Sequence, residues 1–300
     1  MHWISVPGGT FVMGSNDFYP EESPAHERMV PSFEAARAPV TNAEFARFVD
    51  ETAYVTIAER PLPEGEYPDL DERDRAPGSL VFTPTSGPVD LRDWRQWWRW
   101  VPGASWRAPG GPGTDIRARF EHPVVHVAYA DALAYAQWCG ARLPTEAEAE
   151  YLAGGGATPE PYAWGSERDP DGVALANTWR GAFPYRNDGA FAATGTSPVG
   201  SFAANGFGAV DCIGNVWEWT SSEYRPSHRR DLLTAAPATG GCGCGCGARG
   251  EAGRTERVLK GGSHLCAPEY CLRYRPAGRS AQTEDSATSH IGFRVVRDLA

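Results

Sequence analysis

The chain has no long hydrophobic run. Nothing in its 300 residues approaches the ~20 apolar residues that a membrane-spanning helix needs, so no membrane association of that kind is expected. A basic stretch followed by an apolar one is also missing. The opening residues, MHWISVPGGTFVMGS, lack both parts of a secretory signal, and a cytoplasmic location is expected. The 7 cysteines form no even set, and three of them lie in the run GCGCGCG. This argues against a full disulfide framework and gives weight to thiol or metal chemistry. Positive charge is in deficit: 28 Lys and Arg stand against 38 Asp and Glu, a formal net charge of −10. That balance disfavours nucleic acid and anionic membranes as partners.

Glycine, proline and aromatics are plentiful. With 34 Gly, 25 Pro, 11 Trp, 11 Tyr and 12 Phe, the chain reads as many turns and few long helices, tied together by rings. Apolar content of 41% and charged content of 22% are near globular averages, so disorder is not the default. The length suits one large domain or two ordinary ones.

In order along the chain, residues 3–14 read as strand, Pro-Gly-Gly turn and strand. Residues 15–29 read as a solvated loop carrying Glu21, Glu22 and Glu27. Phe33 to Val40 are extended. Thr41 and Glu44 form a capping box that opens a helix with Phe45, Phe48 and Val49 on its buried stripe. From Pro61 to about Glu121 the pattern is irregular, and Trp94, Trp97, Trp98 and Trp100 fit neither helix nor strand. Two readings stand level: these rings line a peptide groove, or they fill gaps in the core.

HPVVHVAY, residues 122–129, reads as a strand. His122 and His126 are four apart, but Pro123 and the valines oppose a helix and no Glu lies between them, so both are taken as structural. DALAYAQWCG, residues 131–140, is an amphipathic helix ending at Gly140, with Cys139 an inert buried thiol. Thr145 and Glu148 cap another helix. Residues 162–220 are loop-rich. Asn177, Asp188, Asp211 and Glu218 there are the kinds of oxygen donor that calcium takes from loops, although turns use the same residues without a metal. Residues 226–256 read as a flexible excursion in which Cys242, Cys244 and Cys246 are not pre-organised for a metal.

GGSHLCAPEYC, residues 261–271, concentrates the chemistry. Pro268 blocks a regular helix between Cys266 and Cys271, which puts the two thiols on a turn facing one another. Four readings compete. A structural disulfide lacks a secretory signal to support it. A zinc site would need a second Cys/His pair. A redox dithiol would need another spacing and a βαβ setting. A copper(I) site needs only two soft thiolates, in a near-linear arrangement that leaves a side open for a third thiol. Chemistry alone does not separate these. Arg273, Arg275 and Arg279 would lower the thiol pKa values if they point inward, or would pair with carboxylates otherwise. Ser263 and Tyr270 could hydrogen-bond a bound oxygen species.

GGTFVMGS, PVTNAEFARFV, HPVVHVAYADALAYAQWCGARLPTEAEAEY, GNVWEWT, RVLKGGSHLCAPEYCLRYRPAGR and HIGFR occur in this order. Together they closely resemble the formylglycine-generating enzymes, the sulfatase-modifying factor family, over nearly the whole chain. The cysteines of GGSxxCxxxYCxRYR are the specific part of the likeness. The resemblance implies a single domain over residues 1–300, α+β with little regular secondary structure and distantly C-type-lectin-like. It implies oxidation of a cysteine in a CxPxR segment of an unfolded sulfatase to Cα-formylglycine, with O2 as co-substrate. It further implies Cu(I) on Cys266 and Cys271, a thioaldehyde that hydrolyses with loss of sulfide, and Ser263, Trp217 and Tyr270 at the active site. Structural calcium is implied on Asp211, Gly214, Val216 and Glu218. A second, partial calcium match falls on Asn177, Thr178 and Asp188, where Phe191 occupies the register of the expected Asp. Ala149 replaces the family's usual Trp. A monomer is expected. The alternatives are a silent sulfatase- or peptide-binding paralogue and a non-haem iron sulfoxide synthase, the latter needing three iron-binding histidines.

Overall fold

The structure is a computed structural model and describes residues 1–65, 67–72, 75–156, 160–228 and 255–299. The excursion with Cys242, Cys244 and Cys246 lies outside the described residues. Among the described residues, eleven strands and three α-helices alternate with long connections. The strands are β1 (Trp3–Val6), β2 (Gly9–Met13), β3 (His26–Val30), β4 (Phe33–Ala36), β5 (Gly78–Phe82), β6 (Trp98–Pro102), β7 (Trp217–Glu223), β8 (Glu256–Lys260), β9 (Arg279–Thr283), β10 (Ile291–Phe293) and β11 (Val296–Asp298). The helices are α1 (Asn42–Thr52), α2 (Tyr129–Trp138) and α3 (Glu146–Gly154).

Both capping boxes form. Thr41 Oγ1 accepts from Glu44 N at the start of α1, and Thr145 Oγ1 accepts from Glu148 N at the start of α3. The apolar stripe of α1 is buried through Phe45, Phe48 and Val49, and Phe45 stacks on Tyr135 of α2 with ring centroids 5.9 Å apart.

The sheets run β1-β4-β11, β10-β7-β8-β9, β2-β3 and β5-β6. All pairings are antiparallel except β10 with β7, where Ile291 lies opposite Trp217. This parallel pair brings the SHIGFR segment beside GNVWEWT, so chain regions far apart in sequence share one wall of the site. One apolar cluster joins α1, α2, β7, β8 and β10 and includes both Cys266 and Cys271. Another gathers Trp97, Trp98, Trp179, Phe183, Leu265 and Ala267.

Three expectations change. Residues 122–129 do not form a strand. Residues 122–128 are all buried, His126 has φ +60°, and the only bridge there is Thr41 with Pro123. A short apolar run enclosed on all sides has the composition of a strand without a ladder partner. Residues 15–29 are not a solvated loop either: β3 pairs with β2 from His26 to Val30, and Glu21 and Glu22 are buried. The tryptophan run divides. Trp97 and Trp98 are buried while Trp100 is 38% exposed; β6, which begins at Trp98, pairs with β5. Among the described residues no helix is long and apolar enough to cross a membrane.

Candidate active site

The cysteine loop leaves β8 through Gly261 and Gly262. Gly262 has φ +73°, and a Cβ on it would lie 2.9 Å from Tyr274 Cα, so the turn requires glycine. The chain then folds back on itself. Cys266 N donates to Ser263 O at 3.0 Å, and Cys271 N donates to Ala267 O at 2.6 Å. These bonds close the turn around Pro268 and bring Cys266 Sγ to 3.1 Å from Cys271 Sγ. Both thiols are free and buried.

Their electrostatics are unequal. The hydrogen bond from Cys266, with help from Arg273, holds Cys271 down at about 6 against the opposing effect of burial. Burial pushes Cys266 well above the usual thiol range, and the interaction with Cys271 adds to the rise. One proton shared between two sulfurs, with a guanidinium beside the ionised one, accounts for the asymmetry. Ser263 N also donates to Cys266 Sγ at 3.4 Å, while Ser263 Oγ accepts from Leu265 N. The serine therefore shapes the turn as well as facing the cell around the thiols.

All three arginines pair with carboxylates, and Arg273 also lowers the Cys271 thiol. Arg273 Nη2 is 2.5 Å from Glu21 Oε1, and its guanidinium carbon stands 3.8 Å from the Tyr19 ring centre. Arg275 grips Glu22 with two bonds of 2.9 and 2.6 Å. Arg279 Nε is 2.6 Å from Glu146 Oε1. Tyr19 Oη accepts from Leu272 N. The segment 19–22 thus clamps the residues following Cys271. Sequence spacing gave no sign of this, because the partners are more than 250 positions apart.

The thiols border a small cell of ≈ 10 Å³, walled by Trp97, Trp98, Phe183, Trp217, Tyr270 and His290 among others. Trp217, Ser263 and Tyr270 are thus brought together with the cysteine pair. Tyr270 stacks on Phe183 at 4.6 Å, and its hydroxyl has no hydrogen-bond partner. A wider cleft of ≈ 430 Å³ shares Leu265 with this cell and is bounded by Phe82, Trp179 and His264. His290 is absent from the sequence-based candidates. Its only signal was its place in HIGFR, one of the segments that carry the family resemblance.

The two thiolates suit a soft ion by donor type, and sulfurs 3.1 Å apart can touch one ion. They are not preset for a linear site: metal–thiolate bonds of about 2.3 Å would place the ends of a straight arrangement about 4.6 Å apart. Binding would widen the pair or bend the angle.

The proposed oxygen-donor sites differ from each other. Asp211, in the left-handed region at φ +54°, is buried, and burial pushes its carboxyl up to about 6 with Glu218 adding to the rise. A hard cation would relieve that excess of negative charge. Glu218 also holds Arg294 through bonds of 2.8 and 2.9 Å, so it could serve a cation only while keeping the arginine. Gly214 and Val216 lie on the same loop. Asn177 and Thr178 are buried, and Asn177 O accepts from Asn215 N. Asp188 is 60% exposed and pairs with Arg186 at 3.2 Å, so its carboxylate is engaged at the surface. Among the described residues no three His, Cys, Asp or Glu side chains form a metal-binding group. His122 bonds Thr196, and His126 bonds Ser79 and the carbonyl of Pro109, the structural roles expected of them.

The family model described as the sulfatase-modifying factor enzyme 1-like domain matches residues 1–299. A protein of Mycobacterium tuberculosis named formylglycine-generating enzyme is 60% identical over 295 residues, covering 98% of this chain and 97% of the relative. One of the same name from Thermomonospora curvata is 42% identical, covering 98% and 93%. Among solved structures, PvdO from Pseudomonas aeruginosa superposes with a TM-score of 0.62 at 23% identity, covering 99% of this chain and 94% of that one. The last likeness concerns the fold alone.

Proposed function

The chain belongs to the sulfatase-modifying factor enzyme 1-like family, and on that premise we propose that it is a formylglycine-generating oxidase that converts a cysteine in a CxPxR segment of a sulfatase to Cα-formylglycine with O2. The observation that carries the reading is the buried pair Cys266 and Cys271, with sulfurs 3.1 Å apart, beside a small cell and an adjoining cleft. Copper(I) on this pair would supply one-electron chemistry with O2. The protein's own residues do the rest. Arg273 favours the Cys271 thiolate, and Trp97, Trp98 and Phe183 keep bulk water from the thiols. Tyr270 and Trp217 line the position where the substrate's sulfur and oxygen meet.

A silent binding paralogue would not need two paired, ionisable thiols. A non-haem iron sulfoxide synthase would need three histidines converging on one ion, and among the described residues no such group exists. The direct test mixes Cu(I)-loaded protein in air with a CxPxR peptide and looks for the aldehyde by mass spectrometry or hydrazide capture. Aldehyde is expected. Its absence with copper loading verified would sink the proposal.

We also propose a structural calcium ion at Asp211, Gly214, Val216 and Glu218, supported by the buried Asp211 carboxyl, which stays raised although it accepts a hydrogen bond from Gly200 N. An ion that binds only the folded chain raises its melting temperature, by roughly 2.7 kcal/mol of stability at a hundredfold excess over Kd. Chelation is therefore expected to lower Tm and added calcium to restore it. A melt that ignores both would remove the site.

A further inference from the structure

Three residues that line the small cell each carry a buried side-chain polar atom without a hydrogen-bond partner among the described residues: His290 Nε2, Tyr270 Oη and Trp98 Nε1. His290 is held firmly. Its Nδ1 is 2.6 Å from Thr288 Oγ1, its ring centre is 4.8 Å from that of Trp98, and its carbonyl accepts from Trp217 N. Only 1% of the residue is exposed. Burial, with His264 and His126 nearby, pushes its pKa well below the ordinary value, so the ring is neutral; in the tautomer whose Nδ1–H donates to Thr288 Oγ1, Nε2 is a hydrogen-bond acceptor.

Unpartnered polar atoms in a buried apolar setting are costly. A guest that satisfies all three must be polar and small. The cell's ≈ 10 Å³ is close to what a single water needs, and a buried water typically makes about three hydrogen bonds. An apolar guest would leave the three atoms unsatisfied. Trp98 can only donate and Tyr270 can do either, which leaves the imidazole as the natural acceptor for a water proton.

We propose that this cell holds the water consumed when the oxidised substrate is hydrolysed, and that His290 accepts that water's proton. The inference rests on the function proposed above, in which the substrate leaves oxidation as a thioaldehyde. The water oxygen bonds to the thioaldehyde carbon while one water proton passes to His290 Nε2. The carbon–sulfur bond then breaks, the second water proton and the one held by His290 go to sulfur, and aldehyde and hydrogen sulfide are the products. No oxidant enters this step, and the thiol pair takes no part in it.

The test follows O2 uptake, sulfide release and aldehyde formation in a single turnover of Cu(I)-loaded protein with a CxPxR peptide, for the parent, His290→Leu and His290→Gln. In His290→Leu, sulfide and aldehyde are expected to lag O2 uptake by at least ~100-fold, the low side of what a positioned proton acceptor contributes. His290→Gln keeps a polar atom facing the cell and is expected to recover most of that lag. A merely structural role would slow all three signals together, and that outcome overturns the assignment, as does no change in any of them. A fall in Cu(I) affinity in His290→Gln would make the residue a metal ligand instead and equally overturn it. Parent protein that makes no aldehyde would defeat the function itself. Parent protein that makes it while the variants keep the three signals in step defeats only the water site.

Discussion

Cys266→Ser and Cys271→Ser are each expected to abolish aldehyde formation and to weaken Cu(I) binding, and the double variant is expected to be no worse than either single one. The reason lies in how the pair is built. A hydroxyl is a hard donor that stays protonated at neutral pH, whereas Cu(I) prefers thiolate. With the sulfurs 3.1 Å apart, each thiol also governs the other: the hydrogen bond they share helps hold Cys271 below the usual thiol range. Removing either one loses a ligand and disturbs the other's charge. Groups that act as a unit in this way give strongly non-additive losses. Copper titration of the metal-depleted variants, alongside turnover in air and a thermal melt to show that they fold, checks all three statements. Full turnover in either single variant would refute the two-thiolate site.

Local signals in the sequence were sufficient for local structure. The capping boxes at Thr41 and Thr145, the buried stripe of α1 and the turn carrying Cys266 and Cys271 each depend on residues within a few positions of one another. Where distant partners decide, the sequence is silent. Glu21 and Glu22 lie in a polar, proline-containing stretch that has every mark of solvated loop, and only Arg273 and Arg275, from the other end of the chain, make it buried. Residues 122–128 have strand composition because they are buried on all sides, yet they are enclosed by the core instead of laddered. Trp97 and Trp98 proved to be both core and active-site wall, a combination that a choice between groove and filler does not offer. His290 is the clearest omission: nothing local distinguishes it, and its importance comes from the parallel pairing of β10 with β7 that sets it beside the thiols.

Glu22→Ala is expected to destabilise the protein by about 3–5 kcal/mol, the usual result of leaving one member of a buried ion pair without its partner. Glu22 and Arg275 have side chains 0% and 1% exposed, and both carboxylate oxygens are bound by the guanidinium. Alanine would leave that guanidinium buried with the Leu272 carbonyl, which it reaches through Nε at 2.6 Å, and the Phe18 ring face 3.7 Å away, but no counter-charge. The double change Glu22→Leu with Arg275→Met removes both charges and is expected to recover most of the loss, since replacing a whole buried pair by apolar groups of similar size is often neutral or stabilising. Urea unfolding of the three proteins checks this through the midpoint, with an unchanged slope showing that the same surface is exposed in each. A loss below about 1 kcal/mol for Glu22→Ala would mean that water reaches the pair, as at surface ion pairs. Activity should separate from stability in the double variant. Arg275 ties Leu272, the residue after Cys271, to the segment 19–22 across the whole sequence. The apolar pair can fill the space, but it cannot hold that carbonyl. The double variant is therefore expected to be folded and stable yet slower in aldehyde formation. Equal turnover in the parent and the double variant would show that packing alone positions the cysteine loop.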